Sequence, residues 1–246
     1  MKSNRYIFFS IIFFWILGAS LSQAGQQEAE DAYERGDYVT ALHEYLMLAQ
    51  QGDVDAQFRV GYMYDFALGT PQNRNQAEYW YQLAAQSGHI VAMNNLAYGW
   101  SEQGIRLDEA IQLMEQVLKA HPNEASFIDT MGWILYQQQK YEEAFTYICK
   151  ASLIEPGAIE VRRHLADIYQ QFGLYDQAIM EWQSVLDLET NRDFLSDGTS
   201  DHYLQMQNIE SWRMTIEKKI AEIRTLKSQL APRTLDKEIV CLRPIS

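Results

Sequence analysis

One pattern recurs along most of this chain, and it requires each recurrence to be a pair of packed helices. The segment Ala125 to Pro156 returns as Ile159 to Thr190 at an offset of 34 residues. Met131-Gly132 falls on Leu165-Ala166, Leu135 on Tyr169, Tyr141 on Tyr175, Ala144 on Ala178, Ile148 on Trp182 and Ala151 on Val185. The apolar positions step by three and four, so each half of a unit is an amphipathic helix. The small residue of each pair belongs where the two helices of a hairpin cross closely. The same register runs backwards through Ala110, Met114, Val117 and Pro122, and at an offset of 35 through Leu96-Ala97. Tyr38, Ala41, Tyr45 and Leu48 form an earlier second helix, with Ala29 and Ala32 in the helix before it. A period of this length is the mark of stacked units that share one continuous core.

These residues carry a family resemblance. The 34-residue spacing, with Gly132, Ala144, Ala151 and Pro156 in one unit, resembles the tetratricopeptide repeat. Residues Asp53–Gly88 resemble a Sel1-like repeat, through Ala56, Gly61, Tyr64, Gly69, Ala77, Trp80-Tyr81, Ala84-Ala85 and Gly88. Gly52 to Gly88 and Ala56 to Ala92 give its 36-residue period, and Thr70-Pro71 departs from the usual loop. The expected organisation is a hairpin over 25–52, the Sel1-like repeat over 53–88, and tetratricopeptide units over 89–123, 124–157 and 158–190. The resemblance implies an all-α solenoid, a right-handed superhelix of such hairpins. Asn95-Leu96-Ala97-Tyr98, Leu107-Asp108-Glu109-Ala110, Met131-Gly132-Trp133 and His164-Leu165-Ala166-Asp167 are further similar to exported bacterial repeat proteins of the cell envelope, some of which are adaptors.

Beyond the repeats, residues 191–202 are polar and read as a loop. Ile209, Trp212, Ile216, Ile223, Leu226 and Leu230 then mark an amphipathic helix over 203–231, stopped before Pro232. A terminal repeat leaves an apolar face bare, so this helix is expected to cap the stack; self-association is its other use. Residues 232–246 read as a loose tail. Cys149 and Cys241 can pair in an oxidising compartment, tying that tail to a mid-chain helix, or remain two thiols.

At the other end, Lys2 and Arg5 precede an apolar run from Tyr6 to Leu17, and Ser22-Gln23-Ala24 suits cleavage. Residues 1–24 therefore read as a secretory signal peptide. The run is short for a membrane span, and no stable span is expected after cleavage. The expected location is the periplasm, or the medium. The chain has 20 Lys+Arg against 33 Asp+Glu. The basic residues gather late: Trp212 to Ser246 holds eight of them with four acids, which leaves residues 25–211 at a net charge of −19. So acidic a body repels phosphate backbones, which disfavours nucleic acid as a partner.

In a tetratricopeptide superhelix the first helix of each hairpin lines the concave face. The resemblance therefore places Tyr62, Tyr98, Trp133 and Asp167 in that groove, at the ninth position of each unit. Asp65, Asn94, Asp129, Tyr136, Gln137, Arg163 and Gln170 lie at neighbouring inward positions. Aromatic rings give contact area at low entropic cost, and the acids suit a partner bearing Lys or Arg. Repeat domains that grip acidic chaperone tails resemble one another in a basic cluster; here Arg163 is the only cation at these positions. The five histidines have no zinc-site spacing, and no phosphate loop or G-x-S-x-G elbow occurs. No metal, cofactor or catalytic residue is expected. The expected function is a non-catalytic scaffold or adaptor of the cell envelope that holds a peptide or protein in its groove. The alternative is a structural subunit self-associating, as a homo-oligomer, through the C-terminal helix.

Overall fold

A computed structural model describes residues 25–194, 202–229 and 241, and contains no strand among them. The signal segment 1–24, most of the polar loop and the tail other than Cys241 lie outside the described residues. Among the described residues eleven helices follow in order: α1 (residues 25–34), α2 (Tyr38–Gln50), α3 (Val54–Asp65), α4 (Arg74–Gln86), α5 (Ile90–Gln103), α6 (Leu107–Ala120), α7 (Ala125–Gln137), α8 (Tyr141–Ile154), α9 (Ile159–Gln171), α10 (Tyr175–Phe194) and α11 (His202–Gln229). They form two compact units that divide within α5, after Gly99.

In the first unit, short polar side chains start the helices. The Asp37, Asp53 and Asn73 carboxyl or amide oxygens accept from the backbone N–H of Thr40, Ala56 and Gln76, three residues on. The core joins Ala29 and Ala32 of α1 to Ala41, Tyr45 and Leu48 of α2, and to Ala56, Val60 and Met63 of α3, with Trp80 of α4. Small residues on α1 let α2 approach closely. At Gly61 the next helix approaches so near that an added Cβ would stand 2.7 Å from the Tyr81 ring. Gly69 turns the α3–α4 loop at φ +70°, where a Cβ would meet the Tyr38 carbonyl oxygen. The unusual Thr70-Pro71 loop is thus anchored on α2, and Gln72 donates to the Asp65 carbonyl.

The second unit repeats the crossing. A Cβ on Gly132 would lie 2.5 Å from Ile148 Cγ1 and 3.2 Å from the Ala144 carbonyl oxygen, both in α8. Ala166 and Ala178 occupy the equivalent places in α9 and α10, and both are fully buried. α10 runs to Phe194, past the start of the predicted loop at residue 191. Pro122 and Pro156 follow the two earlier second helices, but the equivalent position is Thr190, which leaves nothing to stop the helix.

α11 packs against α10. Its buried face is Ile216, Ile220 and Ile223; Leu226, expected in that stripe, is exposed. The 216–220–223 steps hold one side of the helix, and residue 226 has rotated away from it. Ile209, Trp212 and Leu230, also named for this stripe, have side chains outside the described residues. Two ion pairs flank the apolar seam, Lys219 with Asp167 of α9 at 2.5 Å and Lys227 with Asp176 of α10. Cys149 of α8 and Cys241 form a disulfide that spans 92 residues. The Cys241 N–H donates to the Tyr169 hydroxyl at 3.1 Å.

Gly132→Ala should cost about 1–3 kcal/mol in chemical denaturation, because the steric clash outweighs alanine's better helix propensity. Cys241→Ser should lower stability by about 2–4 kcal/mol, since closing so long a loop restricts the unfolded chain. The same melt in a reducing buffer should reproduce that loss in the native sequence and change nothing in the variant.

Candidate protein-binding site

In the first unit, every fourth residue of α3 contributes a ring. Phe58 and Tyr62 stand 6.2 Å apart, and Tyr62 and Phe66 meet at 4.4 Å with their planes tilted by 32°. Phe58 and Tyr62 are half-buried, whereas Phe66, which ends the helix, is 57% exposed. Periodicity would have revealed Phe58 and Phe66 on either side of Tyr62; the ninth-position rule passes over them.

Asp65 lies on the same side of α3, half-buried. Desolvation pushes its carboxyl above the ordinary value, against the pull of Arg74 and a hydrogen bond donated by the Tyr81 hydroxyl. The Tyr81 hydroxyl also accepts from Asn95 Nδ2 at 3.3 Å, and Asn95 Oδ1 accepts from Asn94 Nδ2 at 3.4 Å. Burial raises the Tyr81 phenol as well. Asn94 Oδ1 is buried and accepts no hydrogen bond. Tyr98 follows one turn along α5, half-buried. At its Phe58 end the aromatic row meets a hollow of about 260 Å³ lined by Glu30, Asp53, Asp55, Arg59 and His89.

His89 holds the start of α5. Its Nδ1 accepts from the Ala92 N–H at 3.1 Å, its ring stacks on Phe58 at 4.5 Å, and Nε2 faces Asp55 Oδ1 at 3.5 Å. Burial holds its pKa below the ordinary value, and the nearby Asp55 only partly offsets that. A proton on Nδ1 would remove the cap.

In the second unit the expected groove is filled from within. Trp133 is only 8% exposed. It lies between Tyr136 at 4.7 Å and His164 at 4.0 Å, nearly parallel to both, and its Nε1–H donates to Glu102 at 2.6 Å. Asp129, 5% exposed, pairs with His164 Nδ1 at 2.8 Å. The expectation that Trp133 and Asp129 face an open groove is therefore corrected: α9 brings His164 against both, stacked on Trp133 and paired with Asp129, and both are buried. Asp167 is likewise engaged, by Lys219 of the terminal helix. Arg163 pairs with Glu160 at 2.6 Å on its own helix. Tyr136, half-buried, accepts from Gln171 at 3.1 Å, and Gln137 and Gln170 are half-buried. Glu102 and His164 escaped the sequence reading because their roles arise only where three helices meet.

Among the described residues, no group of three or more His, Cys, Asp or Glu is arranged to hold a metal. No described helix is long and apolar enough to cross a membrane.

A Sel1 repeat model matches residues 54–89, the hairpin that carries the aromatic row. Residues 54–89 thus match a Sel1 repeat, in a chain whose described residues are successive helices. Its sequence is similar to a TPR repeat-containing protein of Pseudomonas aeruginosa, 32% identical over 85 residues, which is 35% of this chain and 14% of that protein. It is also similar to an uncharacterized Sel1-like repeat-containing protein of Schizosaccharomyces pombe, 29% identical over 119 residues, 48% of this chain and 16% of that one. The chain thus spans a small fraction of either relative. Among solved structures, a MamA fragment running from residue 41 to the end, from Desulfovibrio magneticus RS-1, superimposes with a TM-score of 0.55 at 16% identity, covering 70% of this chain and 97% of that fragment. That likeness concerns the fold.

The His89 geometry sets a pH dependence. The folded state favours the neutral imidazole, so its contribution is complete above the ordinary histidine pKa of about 6.5. It declines as pH falls from there toward the lowered folded value. Thermal melts should show this acid-side loss, and His89→Asn, which keeps an N-cap acceptor but cannot titrate, should flatten it. Trp133→Ala should cost about 3–5 kcal/mol, as expected of a buried ring rather than a surface contact.

Proposed function

We propose that this protein is a non-catalytic scaffold or adaptor, exported to the cell envelope, that holds a protein or peptide partner on the first-helix faces of its hairpins. The observation that carries the reading is the α3 row of Phe58, Tyr62 and Phe66. A large ring more than half exposed, packed against a ring already half-buried, is preorganised contact area. Repeat stacks present such faces side by side, and binding surfaces are built from them. Tyr98, Asp65 and Asn94 complete the surface in the first unit.

Export rests on the segment 1–24, with the periplasm favoured over release to the medium. The disulfide supports the same reading, because such bonds persist in oxidising compartments. The absence of clustered nucleophiles, bases and ligands among the sequence motifs favours binding over catalysis.

A photo-crosslinking residue at position 62 or 98, in cells of the native host, should yield discrete adducts. The same residue at Met180, which is exposed on α10, should not. Identical adducts from all three positions would reject this face as the binding surface. Cell fractionation with and without residues 1–24 tests export separately.

A further inference from the structure

The chemistry of the α3–α5 face specifies what it would hold. The polar network beside the aromatic row has more acceptors than donors. Asp65 supplies a half-buried carboxylate, and Asn94 contributes an amide oxygen that is buried and receives nothing. The two are linked through Tyr81 and Asn95, whose hydrogens are already directed inward. Arg74 acts on Asp65, and it does not offset the cost of its desolvation. A group that carries donors and no acceptor, with a positive charge, is the complement of this arrangement; only lysine and arginine side chains fit that description at every pH of interest.

The surroundings agree. Residues 25–99 contain ten acidic residues, three arginines and no lysine. A field of that sign speeds the encounter with a basic segment and rejects an acidic one. The hollow at the Phe58 end adds Glu30, Asp53 and Asp55. The aromatic row supplies a bed for an aliphatic stem or a ring beside Asp65, because Asp65 follows Tyr62 by three residues on α3 and so shares its side of the helix.

Resting on the protein-binding reading above, we propose that this face receives a partner segment in which a lysine or arginine stands beside a bulky apolar residue. The cation meets Asp65 and the Asn94 amide oxygen, and the apolar side chain lies on Tyr62 and Phe66. The network then gains the donors it lacks, and the exposed face of Phe66 is covered.

The test is selection of a displayed 12-residue peptide library on the purified protein, followed by fluorescence anisotropy of the recovered peptides. They should carry Lys or Arg next to an aromatic or aliphatic residue. Asp65→Asn should weaken them about tenfold, the effect of losing one charge-assisted hydrogen bond, and should reduce their salt dependence. Phe66→Ala should weaken them comparably. Asp65→Asn should melt no lower than the native chain, since it removes a desolvated charge, so misfolding is separable from lost recognition. Peptides that depend on Phe66 but carry no cation, or that bind Asp65→Asn equally well, would overturn the proposed chemistry and leave the binding face standing. Peptides indifferent to Tyr62 and Phe66, or none at all, would overturn both. Self-association on sedimentation that Phe66→Ala abolishes would assign the face to a second copy and overturn the proposal as well.

Discussion

Each hairpin depends on one contact, the crossing of its two helices at a position with little or no side chain. At Gly61 the Tyr81 ring takes the space, and at Gly132 the flank of Ile148 does. That approach brings the backbones together, and the bulky residues a turn away are then set at the distance where they reach the next helix. Met63, Ile134 and Ile168 are buried by this arrangement rather than by their own hydrophobicity alone. Repeating the crossing extends the core through each unit, so a local steric rule becomes the architecture.

The crossing was the most legible feature in the sequence. Gly132 and Ala166 stand 34 residues apart, and that interval alone fixes which residues must meet. The terminal helix was legible for a related reason, since Ile216, Ile220 and Ile223 keep a helical step. Its exact seam was less clear, because a 28-residue helix offers more than one run of apolar residues and only contact with α10 selects among them. Where α10 ends could not be read, since the chain has no proline at the place where its earlier repeats do.

The binding face was less legible. A position rule predicts direction from the helix axis, but exposure depends on what the next hairpin contributes. Tyr62 and Trp133 hold equivalent places in their units. Tyr62 remains at a surface with Phe66 beside it, whereas Trp133 is closed in by His164 and Glu102. The difference comes from residues 31 positions either side of Trp133, which no local pattern connects to it. The acidic residues divide in the same way: Asp129 and Asp167 are engaged by His164 and Lys219, while Asp65 is half-buried, its carboxyl raised by desolvation against the pull of Arg74 and Tyr81.

The bond between Cys149 and Cys241 has a consequence for how this chain comes apart. Stacked repeats ordinarily fray from their ends, because the last unit has a neighbour on one side only. Here the chain beyond α11 returns to α8, so α9, α10 and α11 lie inside a closed covalent ring. The last repeats cannot peel away in sequence as a free end would. The C-terminal part of the second unit is topologically an interior, a loop closed at Cys149 within α8 and at Cys241.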